Sequence, residues 1–259
     1  SILSSGIYPK IWKSAEVTPL PNTANPKSCE DYRPISLLYH LSKVTEKIIN
    51  RELAKYIEPD INQYAYTKNI GTGDAIVKMV TDIARELDNS STYAVQALYL
   101  DFSKAFDLMR PDMLAKKLIS KDVDLYIIRL VLDLLQNRSQ CVKLNEEKSP
   151  ILQTKLGVPQ GTISGPTLWN VYVDDLRPIN NTIKYADDTT LYSSVKKSEV
   201  VVTEKQGRQR TIRINNNLMQ NAADIAASWS DENKQRMNAS KPQYMTFSLQ
   251  LNNSIPNPV

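Results

Sequence analysis

Three aspartates occupy positions from which they could act together on a phosphate. Asp101 ends the mostly apolar run 93–102, which predicts a strand, and Asp187-Asp188 occupies the predicted tip of a hairpin. If these strands are neighbours in one sheet, the three carboxylates meet at one edge, where their mutual repulsion requires a cation. Oxygen ligands without a nearby His or Cys suit Mg²⁺ or Mn²⁺. The pattern predicts a two-ion nucleotidyl transferase, with ordinary turn aspartates as the alternative.

Glycine is concentrated in one short segment. The chain contains 7 glycines in 259 residues, yet Gly157, Gly161 and Gly165 all fall within the segment 156–166. A glycine-poor chain that collects glycine in one place needs bare backbone there, either for a tight turn or for the close approach of a ligand. This glycine-rich segment is therefore a second candidate functional site.

The elements that must position these residues predict an α+β protein, a mixed sheet with helices packed on it. Extended segments are expected at 16–21 and 32–38, helices at 41–57 and 74–87, a strand at 93–102, one or two helices at 111–136, a hairpin at 140–156, a helix at 164–176, strands at 182–186 and 189–193, a long polar helix to about 230, and a strand at 243–248. The sequence shows no internal repeat and no clear linker between domains.

The composition excludes several classes of protein. With 41% hydrophobic residues and a net charge of +4, the chain has the composition of an ordinary globular protein, which excludes intrinsic disorder. Cys29 and Cys141 lack the spacing of a zinc knuckle, which argues against a structural zinc site and favours a reducing compartment. Because His40 is the only histidine, mechanisms that need two imidazoles are excluded. Its position at the predicted start of a helix favours a capping or packing role. No run approaches the roughly 20 apolar residues of a membrane span.

Several segments, in order, resemble the motifs of one enzyme family. Tyr99-Leu-Asp-Phe-Ser-Lys-Ala-Phe-Asp, Leu156-Gly-Val-Pro-Gln-Gly-Thr-Ile-Ser-Gly-Pro and Tyr185-Ala-Asp-Asp-Thr resemble the three core motifs of reverse transcriptases, and the first resembles those of non-LTR (LINE-type) retrotransposons. Further resemblance to the fingers and to the last palm motif lies in Trp12-Lys, Tyr32-Arg-Pro-Ile-Ser-Leu-Leu, Gln63-Tyr-Ala-Tyr, and Trp229 through Met237-Asn-Ala-Ser-Lys to Phe247. The resemblance extends over nearly the whole chain.

The family resemblance implies both a reaction and a fold. The reaction is RNA-directed addition of deoxynucleotides to a DNA primer 3′-hydroxyl on an RNA template, with two Mg²⁺ ions, or Mn²⁺ as a substitute. The expected partners are the RNA template, the DNA primer and deoxynucleoside triphosphates, with no membrane. The implied organisation is fingers-like segments over 1–92 and a palm over 93–259, with the thumb missing because the chain ends before the family's Leu-Gly segment. The expected location is intracellular, and nuclear by family analogy.

The resemblance also assigns the metal site. Asp101, Asp187 and Asp188 match the catalytic metal-binding triad of the family, and the backbone carbonyl of Phe102 matches a further metal ligand. These residues are the candidate catalytic centre.

Five further residues match nucleotide-binding positions of the family. Phe106 matches the bulky side chain beneath the sugar that excludes a 2′-hydroxyl, and Gln160 matches the glutamine that contacts the incoming nucleotide. Gly161 matches a glycine that lets the backbone pass close to the nucleotide. Arg33 matches the triphosphate-binding arginine, and Lys241 matches a candidate acid for the departing pyrophosphate. The alternatives are a core aromatic for Phe106 and solvent-exposed side chains for Arg33 and Lys241.

A second Tyr-x-Asp-Asp pattern competes for the catalytic assignment. Tyr172-Val-Asp-Asp-Leu has the same form as Tyr185-Ala-Asp-Asp. Asp174 lies 14 residues after Gln160, which keeps it within the predicted helix, whereas Asp187 lies 27 residues after Gln160, which leaves room for the helix and a strand that returns to the sheet. Asp187-Asp188 is therefore assigned to catalysis, and Asp174 and Asp175 are predicted to be helix-end residues.

Some segments depart from the family pattern. Leu108-Met-Arg-Pro replaces the usual basic residue, Val and His after Asp107, Ala65-Tyr66 replaces Gly-Phe, and Lys68 stands near an expected arginine. The alternative function is an inactive or repurposed copy, including a maturase-like factor, that binds nucleic acid without polymerising. The intact aspartates and glycine-rich segment argue against neutral decay.

Overall fold

A computed structural model describes residues 5–58, 60–205, 209–214, 218–238 and 243–249. The chain divides into two compact units, the first formed by Ser1–Glu58 with Lys104–Asp174 and the second by Pro59–Ser103 with Asp175–Val259. Each unit draws residues from both sides of the predicted fingers–palm boundary at 92/93. That boundary therefore remains a prediction.

The described part of the chain contains six α-helices and eleven strands. The helices are α1 (His40–Leu53), α2 (Thr72–Asp88), α3 (Pro111–Ser120), α4 (Leu125–Leu135), α5 (Ser164–Val173) and α6 (Leu218–Glu232). The strands are β1 (Ser14–Pro21), β2 (Tyr32–Leu37), β3 (Thr92–Leu100), β4 (Arg138–Leu144), β5 (Glu147–Lys148), β6 (Leu152–Thr154), β7 (Thr182–Tyr185), β8 (Asp188–Lys196), β9 (Val200–Lys205), β10 (Gln209–Ile214) and β11 (Gln243–Phe247). None of these helices is long and apolar enough to cross a membrane.

The first unit combines a sheet with four helices. Its sheet has the order β2-β1-β4-β5, and β6 also pairs with β4. Strands β1 and β2 are antiparallel, whereas β1 and β4 are parallel. Helices α3, α4 and α5 pack together because each has an apolar face, and their fully buried side chains include Leu114, Leu134 and Trp169. This helical core supports the glycine-rich segment, which leads directly into α5.

The second unit is built on an antiparallel sheet of order β11-β3-β8-β7. Strand β3 is apolar and mostly buried, as the continuous apolar run predicted. Helix α2 packs on β3, where Ala75 and Ile83 from the helix meet Val95 and Ala97 from the strand. The expectation of a mixed α+β fold, with a largely antiparallel palm sheet backed by helices, is confirmed.

The sequence prediction missed two strands. The long polar helix expected to end near residue 230 begins only at Leu218, and antiparallel strands β9 and β10 precede it. The β-branched run Val200-Val-Val-Thr and the alternating Thr211-Ile-Arg-Ile favour strands, because branched side chains lose little freedom on a pleated surface. The polar character of this region had concealed its period of two.

Candidate active site

All three candidate catalytic aspartates lie at the same end of the second unit's sheet. Asp101 directly follows β3, and Asp188 is the first residue of β8. Because Leu100 pairs with Thr189 in the antiparallel register, the next position places Asp101 opposite Asp188. Asp187 lies with Ala186 in the two-residue turn that joins β7 to β8, since Tyr185 pairs with Asp188. The predicted hairpin is therefore present, with the aspartates at its tip.

Asn238 fixes the chain where β3 ends. Its backbone N–H donates to the carbonyl of Asp101 over 2.9 Å, and its side-chain amide donates to Asp101 Oδ2 over 3.0 Å. The N–H of Ser103 donates to the carbonyl of Arg236 over 2.8 Å, so Phe102 forms an antiparallel bridge with Met237. In a bridge of this kind the central residue's own carbonyl points away from its partner. The Phe102 carbonyl is thus directed to the side on which β8 lies.

The donor set at this sheet end suits a hard divalent ion. It consists of three carboxylates and one backbone carbonyl, and oxygen ligands are the ones that Mg²⁺ and Mn²⁺ prefer. Asp101 and Asp187 are half-buried and Asp188 is exposed. In the described residues, no group of three or more His, Cys, Asp or Glu side chains is gathered closely enough to hold a metal ion. The residue types therefore fit a divalent ion.

The turn that carries Asp187 has an unusual backbone. Ala186 has a φ of 57°, in the left-handed region that is unfavourable for a residue with a Cβ. The buried side chain of Gln63 bonds both the N–H and the carbonyl of Ala186. Tyr66 lies close enough to Asp187 to sense its charge. Burial raises the pKa of the Tyr66 phenol, and the charge of Asp187 raises it further.

The glycine-rich segment of the first unit packs directly against two other backbone segments, at Ser36 and at Asp107. Gly161 has a φ of 116°, and a Cβ there would lie 2.8 Å from the carbonyl oxygen of Ser36. Ser36 in turn donates its N–H to the carbonyl of Gln160 over 2.7 Å. A Cβ on Gly157, which has a φ of 86°, would lie 2.6 Å from the carbonyl oxygen of Asp107. Both glycines are therefore required by close contacts within the chain, whatever ligand approaches.

A buried carboxylate holds the C-terminal end of this segment. Glu46 Oε2, on α1, accepts the N–H groups of Ile163 over 2.7 Å and of Ser164 over 3.0 Å, at the start of α5. Asn50 donates its side-chain amide to the carbonyl of Ile163 over 3.0 Å. Burial raises the pKa of Glu46, and the two N–H donors and the positive charge of Arg138 partly oppose that shift. The helix start and the segment before it are thus fixed from one side by α1.

Gln160 occupies a hydrogen-bonded position in the first unit. Its side chain bonds Asp107, whose pKa is raised by burial and lowered in part by that bond and by the charge of Lys104. A cavity of about 190 Å³ adjoins these residues and is also lined by Pro34, Ser36 and Gly157. Gln160 therefore lies on a concave surface that a small ligand could enter.

The remaining candidate nucleotide-binding residues are placed as follows. Phe106 is half-buried and its ring centroid lies 5.5 Å from that of Trp169. Arg33 is exposed on β2, opposite Leu20 of β1. These two residues belong, with Gln160 and Gly161, to the first unit, whereas the aspartates belong to the second. Lys241 lies outside the described residues.

Asp174 and Asp175, the aspartates of the second Tyr-x-Asp-Asp pattern, each accept a hydrogen bond from another side chain. Asp174 directly follows α5, and its Oδ2 accepts a hydrogen bond from Lys121 Nζ over 2.5 Å. Asp175 accepts the indole N–H of Trp229 over 2.8 Å. Asp174 therefore lies at a helix end, as the spacing predicts.

Sequence reasoning missed the residues that hold these loops. Glu46 gave no signal, because a glutamate within a predicted helix is typical of a solvated face. Gln63 stood in a segment that resembles the fingers, but nothing in the sequence connected it with the hairpin 123 residues later. Asn238 was part of the last palm motif without an assigned contact.

Comparison with solved structures shows that the fold is similar to that of telomerase. The structure of apo telomerase from Candida tropicalis, truncated from its C-terminal domain, matches with a TM-score of 0.61 at 10% identity, covering 96% of this chain and 53% of that one. The Candida albicans telomerase bound to a fragment of telomeric RNA matches with the same TM-score of 0.61, at 12% identity, covering 95% of this chain and 44% of that one.

The sequence matches the family model "Reverse transcriptase (RNA-dependent DNA polymerase)" over residues 22–254, so the chain belongs to the reverse transcriptase family. It is 30% identical over 253 residues to the RNA-directed DNA polymerase from mobile element jockey of Drosophila melanogaster, covering 95% of this chain and 27% of that protein. It is also 30% identical over 193 residues to the probable RNA-directed DNA polymerase from transposon BS of the same species, covering 72% and 21%. The chain thus spans about a quarter of the length of these relatives. The predicted resemblance to non-LTR retrotransposon reverse transcriptases is confirmed.

Proposed function

We propose that this chain is an RNA-directed DNA polymerase, which adds deoxynucleotides to the 3′-hydroxyl of a DNA primer on an RNA template. The observation that carries the proposal is the placement of Asp101, Asp187 and Asp188 at one end of an antiparallel sheet, in a chain that belongs to the reverse transcriptase family. We also propose an intracellular, nuclear location, which rests on the family resemblance alone.

The three aspartates and the carbonyl of Phe102 are the residues that would hold two Mg²⁺ ions, with Mn²⁺ as a possible substitute. Two bound ions supply activation of the attacking oxygen and stabilisation of the charge that develops on phosphoryl transfer. The protein's own contribution is orientation. Asn238 holds the Asp101 carboxylate through Oδ2, and the antiparallel register sets Asp188 opposite to it.

Five residues would make the nucleotide contacts of this reaction. Arg33 would bind the triphosphate, because a planar guanidinium matches phosphate oxygens. Gln160 and Gly161 would contact the nucleotide, and Phe106 would lie beneath its sugar and exclude a 2′-hydroxyl. Lys241 would give a proton to the departing pyrophosphate. The template and primer would be held through their phosphates, so their binding should weaken as salt rises.

Primer extension tests this proposal with a matched pair of variants. The protein, Asp187→Asn and Asp174→Asn are compared on an RNA template with a DNA primer, with Mg²⁺ and Mn²⁺ tested separately. Each variant removes one carboxylate charge from a Tyr-x-Asp-Asp sequence with little change in shape. We expect extension to fall by at least about 100-fold in Asp187→Asn, because a metal ligand is lost. Asp174→Asn should retain extension, because Asp174 lies at the end of α5, where its carboxylate pairs with Lys121, and not in the hairpin that carries Asp187.

Two outcomes would contradict the proposal. Loss of extension in Asp174→Asn with retention in Asp187→Asn would move the catalytic assignment to the other pair. No extension by any of the three proteins, together with retained RNA binding, would favour a protein that binds nucleic acid without polymerising, including a maturase-like role.

A further inference from the structure

A segment from the beginning of the second unit runs beside the catalytic hairpin. The N–H of Lys184, on β7, donates to the carbonyl of Asn62 over 2.7 Å, and the N–H of Tyr64 donates to the carbonyl of Lys184 over 2.9 Å. These bonds form a parallel bridge between Gln63 and Lys184. Residues 60–65, named here the latch segment, therefore lie along the edge of β7 that faces away from β8.

A buried ion pair fixes the position of the latch segment. Lys184 Nζ lies 2.6 Å from Asp60 Oδ2, and the exposed fractions of the two side chains are 0% and 3%. Arg177 approaches the other carboxylate oxygen of Asp60 at 3.6 Å. A shift of the segment by one residue would leave a buried charge without its partner, which is strongly unfavourable. The ion pair therefore specifies one register, and that register places Gln63 beside the turn.

The amide of Gln63 matches the backbone of Ala186. Its Oε1 accepts the N–H groups of Ala186 and Ala65, both over 3.0 Å, and its Nε2 donates to the carbonyl of Ala186 over 3.3 Å. A glutamine amide carries both a donor and an acceptor, whereas an ionised glutamate of the same length carries only acceptors. Gln63 is 4% exposed, so water does not readily replace it in these bonds.

We propose that Gln63 is a positioning residue for the reaction proposed above, and the inference rests on that proposed function. Gln63 holds Ala186 in the left-handed conformation, and this conformation directs the following residues, Asp187 and Asp188. Without the amide, an alanine at this position gains by moving to a right-handed or extended conformation. That change rotates the peptide unit that leads into Asp187 and so alters the direction in which the Asp187 side chain leaves the backbone.

The test compares Gln63→Met with Gln235→Met. Methionine keeps the length and burial of glutamine but removes the amide. Gln235 is a suitable control because it is 5% exposed in the same unit, and its side-chain atoms have no hydrogen-bond partner in the part of the chain that the structure describes. Two quantities are measured: deuterium exchange of the amides in 182–191, and binding of Mn²⁺ from the intensity of the free-ion electron paramagnetic resonance signal. Neither measurement depends on polymerase activity.

We expect Gln63→Met to speed exchange within the turn by roughly tenfold, because the bond to the Ala186 amide is lost. Its affinity for Mn²⁺ should fall by about 10- to 100-fold, the usual effect of removing a group that orients metal ligands. Gln235→Met should match the unchanged protein in both measurements. Gln63→Glu keeps the acceptor oxygen for the two N–H groups but loses the donor to the Ala186 carbonyl. It is the second variant to test if Gln63→Met does not fold, and we expect it to speed exchange in the turn by less than about tenfold.

The contrary outcomes separate two failures. If exchange accelerates but Mn²⁺ affinity is unchanged, or if neither changes, the positioning role of Gln63 is overturned while the proposed function stands. If the unchanged protein binds no Mn²⁺ at millimolar concentration, the proposed function fails first, and the inference about Gln63 fails with it.

Discussion

The two candidate loops of this protein are held by different chemistry. In the first unit, the glycine-rich segment is fixed by the carboxylate of Glu46 at the start of α5, and glycine occupies its left-handed positions. In the second unit, the turn before Asp187 is fixed by the neutral amide of Gln63, and an alanine occupies the left-handed position. In each loop, a buried side chain from an earlier part of the sequence thus bonds the backbone.

The difference follows from the charges that surround each loop. A carboxylate suits the start of α5, because the free N–H groups of a helix N-terminus favour negative charge and Arg138 adds a positive one. The sheet end already carries three aspartates, where a fourth carboxylate would add repulsion and raise the pKa values of its neighbours. A neutral group with a donor and an acceptor avoids that cost. The charge around each loop therefore determines whether a carboxylate or a neutral amide can bond its backbone.

The largest effect is expected from Glu46→Ala. The change leaves the buried N–H of Ser164 and the half-buried N–H of Ile163, at the start of α5, without an acceptor, so the free energy of unfolding should fall by about 3 kcal/mol. Urea unfolding followed by circular dichroism measures it. Glu52→Ala on the same helix is the control, because Glu52 pairs with Lys55 at the surface and should cost less than about 1 kcal/mol. Equal losses in the two variants would contradict the special role of Glu46.

Gly161→Ala should cost somewhat less, about 2 kcal/mol. The new Cβ would lie 2.8 Å from the carbonyl oxygen of Ser36, at a φ of 116° that alanine rarely adopts. Gly73→Ala provides the opposite case, because nothing lies within 4 Å of a Cβ there and the residue is in α2. That variant should be more stable by up to about 1 kcal/mol. Thermal unfolding of both variants gives the comparison, and a stable Gly161→Ala would show that the segment is not tightly held.

A smaller effect is expected from the pH dependence of Glu46→Gln, which keeps the shape of the side chain. Burial raises the pKa of Glu46 in the folded protein above its ordinary value of 4.5, so the folded state binds a proton more tightly than the unfolded state. The stability that this proton contributes is present below 4.5 and is lost as the pH rises through the raised pKa. The free energy of unfolding of the unchanged protein, relative to Glu46→Gln, should therefore decline over that range. Urea titrations at several pH values measure the trend, and an increase would mean that the hydrogen bonds outweigh burial.

The smallest effect is expected from Ala186→Gly. Glycine removes the unfavourable left-handed conformation of alanine, worth about 1–2 kcal/mol, but it makes the unfolded chain more flexible by about 0.5–1 kcal/mol. The net change should be a stabilisation of about 0.5 kcal/mol, measurable by differential scanning calorimetry. In this background Gln63→Met should have a weaker effect on amide exchange, because a glycine holds the turn at less cost. If Gln63→Met speeds amide exchange equally with alanine and with glycine at position 186, the Gln63 amide does not act through the left-handed conformation of Ala186.

The sequence predicts local features of this fold well and long-range contacts poorly. The apolar run of β3, the hairpin around Asp187 and the helix after the glycine-rich segment follow from periodicity and spacing. Strands β9 and β10 did not, because their polar residues masked the alternation. The contacts of Glu46 and Gln63 could not be predicted, since a contact between residues more than a hundred positions apart depends on packing and leaves no periodic signal.

The bond between Gln63 and Ala186 also concerns the order of folding. The two residues are separated by 123 positions, so β7 and β8 can pair locally while the turn between them still lacks the contact that sets its final shape. During synthesis at about 5–20 residues per second, Gln63 leaves the ribosome roughly 6–25 s before Ala186. The amide must remain unpaired, or bonded elsewhere, for all of that time. The turn that carries Asp187 therefore takes its final shape only when the latch segment docks beside β7.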